Sequence, residues 1–274
     1  MIVDAWYVPN TPTLVVEPAW KRSGFEARPQ TQSTLARAGW ITRANGADTI
    51  IVVSPHFEAR QLLPVVTSDQ PTQIHDFDGF PREFYEVQYV PPGDRALAER
   101  ILVASKAMGL PVTAVEDEWG LDHGAWAPLS RMFPDANLPT VPVGIGHGVS
   151  DEDHERFGRA LAEASAEKRV AIVATGSILH RLDLWGGART GPDTTLKGAL
   201  ERAEDILAAG DWERLWGLDP IDVRQLQTEG GFRPLRVLAG AVGSHIRVEI
   251  LSRETEYGAA SLTVAHITKM TSAV

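Results

Sequence analysis

The sequence contains no cysteine. Disulfides, thiolate nucleophiles and cysteine-based zinc or iron–sulfur centres are therefore excluded, and a reducing cytoplasm is the expected compartment. Long apolar runs are missing as well. None approaches the ~18 residues needed to cross a bilayer, so no membrane partner is expected. No basic segment precedes an apolar stretch at Met1-Ile2-Val3-Asp4, which argues against a secretory signal. Positive charge is scarce: 26 Lys and Arg stand against 36 Asp and Glu, a formal net charge of −10. With no Lys/Arg cluster to offset it, such a surface repels polyanions, and nucleic acid is not an expected partner. Among metal-binding side chains, the sequence offers eight histidines. Any transition-metal site must therefore combine imidazole with carboxylate or phenol. The length of 274 residues, 43% of them hydrophobic, suits one large folded domain over 1–274.

Apolar strand-like runs alternate with helical patterns. Thr49-Ile50-Ile51-Val52-Val53 follows an amphipathic stretch from about Thr31 to Asn45, and Val170 to Ala174 follows a helix expected to start at Ser150, with Asp153 suggesting a capping box. Leu138 to Val143 reads as a short strand whose prolines favour an edge or a strand end. Asp193 to Ala209 reads as a helix stopped by Gly210, Phe232 to Val242 as another, and Ile246–Ile250 with Ala259–His266 as a closing strand pair. The alternation predicts an α/β fold, a mixed β-sheet core covered by helices. The stretch from Gln73 to Gly93 is irregular and aromatic, with Phe77, Phe80, Phe84, Tyr85 and Tyr89 among glycine and proline. It reads either as a loop packed on the core or as the wall of an aromatic-binding pocket.

Two histidines stand just beyond apolar strands, where ligands bind in open α/β sheets: His56 in Ser54-Pro55-His56-Phe57, and His180 at the end of Thr175-Gly176-Ser177-Ile178-Leu179-His180. His123 lies between glycines in Gly120-Leu121-Asp122-His123-Gly124, with Asp122 placed either to orient an imidazole or to cap a helix. Glu229 precedes Gly230-Gly231 at the start of an apolar helix, as a site carboxylate or as an ordinary first-turn acid. His75, His147, His154, His245 and His266 read as surface or packing residues.

These residues resemble the class III extradiol ring-cleavage dioxygenases, the group of the protocatechuate 4,5-, homoprotocatechuate 2,3- and DOPA-dioxygenase-like enzymes. The resemblance is carried by Ile74-His75-Asp76-Phe77-Asp78-Gly79-Phe80-Pro81, by Gly120 to Leu129 with Trp126 at its centre, and by Thr175 to His180. It runs from about residue 5 to 265. It implies an Fe(2+) site of two histidines and one carboxylate that leaves room for substrate and oxygen. By motif His56 would be one histidine ligand, Glu229 the carboxylate, His180 the acid/base and His123 a contact to substrate or oxygen. Phe80, Trp126 and Tyr7 would join His123 around the ring. The sequence departs from the pattern in Ala5-Trp6-Tyr7-Val8-Pro9-Asn10, where Tyr7 stands in place of the first histidine ligand. The implied function is extradiol opening of a catechol-like or aminophenol-like ring by O2, in aromatic catabolism, at an atypical metal site. The alternative is a non-catalytic, metal-poor subunit that partners a homologous catalytic chain. A homo-oligomer or such a heteromer is the implied assembly.

Overall fold

The computed structural model describes residues 1–20, 25–184 and 194–270. Eight strands form one sheet: β1 (Ile2–Val8), β2 (Thr49–Ala59), β3 (Leu63–Val66), β4 (Val112–Val115), β5 (Thr140–Gly146), β6 (Val170–Thr175), β7 (Ile246–Glu256) and β8 (Ala260–Lys269), in the spatial order β4-β3-β5-β2-β6-β1-β8-β7. The central strands β5, β2, β6 and β1 run parallel, and β8 and β7 close the sheet antiparallel. The mixed sheet covered by helices expected from the sequence is the observed architecture.

Side-chain alternation explains why the central runs are continuously apolar. Ile51 and Val53 of β2, with Ala5 and Tyr7 of β1, enter the core on one face, while Ile50, Val52, Trp6 and Val8 enter the core on the other. A parallel strand covered by helices on both faces has no polar side to show. Among the described residues, no helix is long and apolar enough to cross a membrane.

The expected helices form as Pro29–Ala44, Asp151–Ala164, Thr194–Ala208 and Arg233–Val242, while Asp193 lies outside the described residues. Ser150 is the predicted N-cap, its hydroxyl accepting from the Asp153 N–H at 3.0 Å. Of the two alternatives for the prolines of Leu138–Val143, the edge is corrected, because β5 lies inside the sheet between β3 and β2, while Pro139 immediately precedes the first residue of the strand. Ile50 donates to the Pro139 carbonyl from the β2 side, so Thr140 and Pro142 turn their nitrogens to the other side, where Thr140 donates to Pro92. On that side β3 meets β5 at the single pair Val65↔Val143, so the N–H that Pro142 lacks breaks no ladder bond with β2.

Candidate active site

The carboxyl ends of β1, β2 and β6 open on a cavity of ≈ 370 Å³. Asn10, Thr11 and Pro12 follow β1. His56 stands in β2 where pairing with β5 jumps from Val53↔Val143 to Glu58↔Ile145, a bulge that carries Pro55 and turns the imidazole into the cavity. Ser177, His180 and Leu182 follow β6, and His123 opens the helix His123–Met132. The irregular loop supplies Asp76, Phe77 and Phe80, so it forms the wall of a pocket as well as packing on the core.

Glu229 is the hub of the site. Its Oε1 accepts from His56 Nε2 at 2.9 Å and from Asn10 Nδ2 at 2.9 Å, and its Oε2 accepts from the Ser177 backbone N–H at 3.0 Å. His180 Nε2 lies 3.9 Å from the same Oε1. The chain leaves Glu229 through a left-handed run, with φ +60° at Gly230, +61° at Gly231 and 65° at Phe232. Only the two glycines hold that backbone cheaply; Phe232 is the strained member, of the kind that collects at functional sites. Burial would raise the Glu229 pKa, but the hydrogen bond and charge of His56, then His180 and the Asn10 amide, outweigh it and hold it at about 2. Glu229 is therefore ionised. Burial would lower His56, yet its hydrogen bonds to Asp76 and Glu229 raise it to about 11.

Asp76 is a site residue that sequence reasoning missed. Its Oδ1 accepts from the backbone N–H of His123 at 2.7 Å and from His123 Nδ1 at 2.8 Å, and its Oδ2 lies 3.1 Å from His56 Nδ1. Burial opposes its charge, but His123 and His56 keep the carboxyl well below the ordinary carboxylate range. Asp122 takes the cap alternative: it accepts from the Ala125 N–H, from Ser54 Oγ at 2.6 Å and from Trp119 Nε1 at 3.1 Å. Gly124 serves close packing against His56, because a Cβ there would stand 2.8 Å from His56 Cδ2 and 2.5 Å from Ser54 Oγ. Asn10 was also missed as a site residue, although the motif around Tyr7 contained it.

Two expected substrate contacts lie elsewhere. Trp126 is fully buried, donates to the Ile74 carbonyl at 2.8 Å and backs Phe77 from behind, off the cavity lining. Tyr7 alternates into the sheet's core and is not among the cavity-lining residues, although its hydroxyl and Glu229 Oε2 flank the same point, 3.4 and 3.5 Å from where a Cβ on Gly176 would stand; Asn10 Nδ2 binds Glu229 Oε1 directly. Burial, then the charge of Glu229, pushes the Tyr7 hydroxyl well above 10, so it is a neutral phenol in the metal-free protein. Tyr7→Phe should therefore change iron content and turnover less than about twofold, as metal analysis and steady-state rates would show; a tenfold loss would place the phenol in the site. The remaining histidines pack as expected. His266 stacks on Trp6 at 4.1 Å, His154 accepts from the Gly146 N–H at 3.2 Å, and His75 packs against Trp126 at 5.2 Å.

The donors suit a divalent cation with nitrogen and oxygen preferences. His56 Nε2 and Glu229 Oε1 face each other, and His56 is held from behind by a carboxylate, the usual support of a metal-bound imidazole. Residues 5–269 match the family described as the catalytic LigB subunit of aromatic ring-opening dioxygenase. The chain belongs to that family. It is similar to a 4,5-DOPA dioxygenase extradiol of Escherichia coli K12, 31% identical over 229 residues, which are 80% of this chain and 81% of that protein. A 4,5-DOPA dioxygenase extradiol of Portulaca grandiflora is 28% identical over 252 residues, covering 87% and 82%. The fold is shared with the crystal structure of protein JW3007 of Escherichia coli K12, at a TM-score of 0.73 and 23% identity over 97% of this chain and 99% of that one.

Proposed function

We propose that this protein is an Fe(II)-dependent extradiol dioxygenase that opens a catechol-like or aminophenol-like ring with O2. The observation that carries the reading is the convergence of His56 Nε2 and His180 Nε2 on Glu229 Oε1, at 2.9 and 3.9 Å, on the floor of an aromatic-walled cavity. His56 and Glu229 would hold the metal. Ferrous iron held there would supply the Lewis-acid and O2-activating chemistry of ring opening. Both oxygen atoms end in the opened product, so no outside reductant is required.

The chain's own residues supply the rest. Phe77 and Phe80, with Pro12 and Leu182, offer apolar surface to the flat ring and exclude water from it. A volume of ≈ 370 Å³ sits near the lower end for ligand cavities, which suits a single ring with short substituents. His180 takes a proton from the substrate hydroxyl and returns it as the ring opens, the exchange for which imidazole is suited near neutral pH. Its backbone N–H donates to Leu226 at 2.8 Å and its neighbour Arg181 donates to Ala259 at 2.7 Å, so the ring is carried on a fixed stretch of chain. His123 lies across the cavity as a contact for substrate or oxygen. The enzyme acts as one domain over 1–274 in the cytoplasm, alone in its oligomer or beside a homologous chain. After anaerobic loading with Fe(II), oxygen uptake on a panel of catechols and 2-aminophenols should show one O2 consumed per ring opened; no uptake with any member of the panel would overturn the reading.

One observation favours the second reading, a metal-poor subunit. The place beside Glu229 that a third ligand would take is filled by the Asn10 carboxamide, a weaker donor than imidazole. On that reading, activity appears only when a homologous catalytic chain is added.

Metal binding should also move protons. With His56 raised to about 11 and Glu229 held at about 2, only the imidazole must lose a proton before its Nε2 can bind a cation. Titration of the metal-free protein with zinc, by calorimetry in buffers of differing ionisation heat, should release about one proton per ion. The affinity should rise about tenfold per pH unit between roughly pH 6 and 9. A pH-independent affinity would show that His56 is not a ligand.

A further inference from the structure

We propose that Asp76 is the positioning residue that sets the tautomers of His56 and His123 together, so that both turn an unprotonated Nε2 toward the cavity when the site is loaded. An ionised carboxylate only accepts hydrogen bonds. An imidazole nitrogen 2.8 or 3.1 Å from its oxygens must therefore carry the proton, which leaves the lone pair of a neutral ring on the opposite nitrogen. Both contacts are made by Nδ1, and the two rings meet edge to face at 4.1 Å. One carboxylate thus orients both.

Asp76 is itself placed by the backbone rather than by the rings it orients. The His123 N–H, one of the unpaired donors of the first helical turn, binds Oδ1 at 2.7 Å. The loop before Asp76 is tied down by Ile74 N–H donating to Leu121 and by Trp126 Nε1 donating to Ile74, each at 2.8 Å. Phe77, the next residue, lies 5.3 Å from the His123 ring, so the wall that faces substrate and the clamp that orients the imidazoles are consecutive residues. His56, Asp76 and His123 cluster tightly enough to hold a cation themselves. In the contacts present, both Asp76 oxygens accept from the two Nδ1 atoms and the His123 N–H, which is the clamp arrangement.

Long-range proton–nitrogen spectra of the histidine rings test this in the full-length metal-free protein, well above the ordinary histidine pKa of about 6.5. His123 should carry its proton on Nδ1 in the wild type and move to the Nε2–H form that free imidazole side chains prefer in Asp76→Ala. Zinc affinity, read by competition with a chelating dye, should fall about 10- to 100-fold in Asp76→Ala and in the isosteric Asp76→Asn, which keeps the volume if the alanine variant does not fold. His123 retaining Nδ1–H in Asp76→Ala, or Asp76→Asn binding zinc within about twofold of wild type, would overturn the proposal. The zinc arm rests on His56 being a metal ligand in the proposed dioxygenase, whereas the His123 arm does not. A wild-type chain that binds no zinc therefore counts against the metal site, and the His123 spectrum still decides the role of Asp76.

Discussion

Glu229→Gln is expected to lower kcat/KM by about 10²- to 10³-fold and to strip the protein of iron under conditions in which the wild type keeps it. The magnitude follows from what the carboxylate meets. Its two oxygens accept from His56, Asn10 and the Ser177 N–H in a buried position, and its charge faces an imidazole. An amide has one acceptor oxygen, so the NH2 must be turned against at least one of those donors. Breaking one partner of a buried charged pair costs about 3–5 kcal/mol, or roughly two to three and a half powers of ten. Iron content by metal analysis and oxygen uptake should fall together. Full iron content with full turnover in Glu229→Gln would remove the carboxylate from the site.

The second large effect is expected at His180. His180→Asn should reduce kcat by about 10²- to 10⁴-fold, the usual contribution of a positioned acid/base, while iron content stays within about twofold of wild type. His180 stands 3.9 Å from the Glu229 oxygen, beyond hydrogen-bond reach, where it can meet a substrate held between them. A parallel loss of iron would instead make His180 a ligand.

The parts of this site legible in the sequence are those with a local signature. His56 follows the apolar run Ile50–Val53 but lies in the bulged continuation of β2 rather than beyond it, His180 follows β6, and Glu229 precedes two glycines and a helix; each position relates to the nearest element within a few residues. The parallel core was legible for the same reason, since runs such as Ile50–Val53 show no polar face. Asp76 lay within the Ile74–Pro81 motif, but no neighbouring element marked it as a site residue. It sits in an irregular loop, and its partners are 20 and 47 residues away, reached only when that loop folds against the start of helix His123–Met132. Tyr7 and Asn10 show how fine the distinction is. Three residues decide whether a side chain alternates into the core or faces the cavity beyond the strand end, and a motif match does not fix that register. Pro142 misled in the opposite sense: proline forbids a donor on one side of a strand, and β5 needs its regular donors only on the side of β2.

The most direct measurement is iron stoichiometry after anaerobic reconstitution of the chain alone with Fe(II), compared with His56→Ala and Glu229→Ala. A self-sufficient dioxygenase predicts close to one iron per wild-type chain and loss of that iron in both variants. Iron well below one per chain and unchanged by either substitution would contradict it and leave the chain as the metal-poor partner of a homologous catalytic subunit.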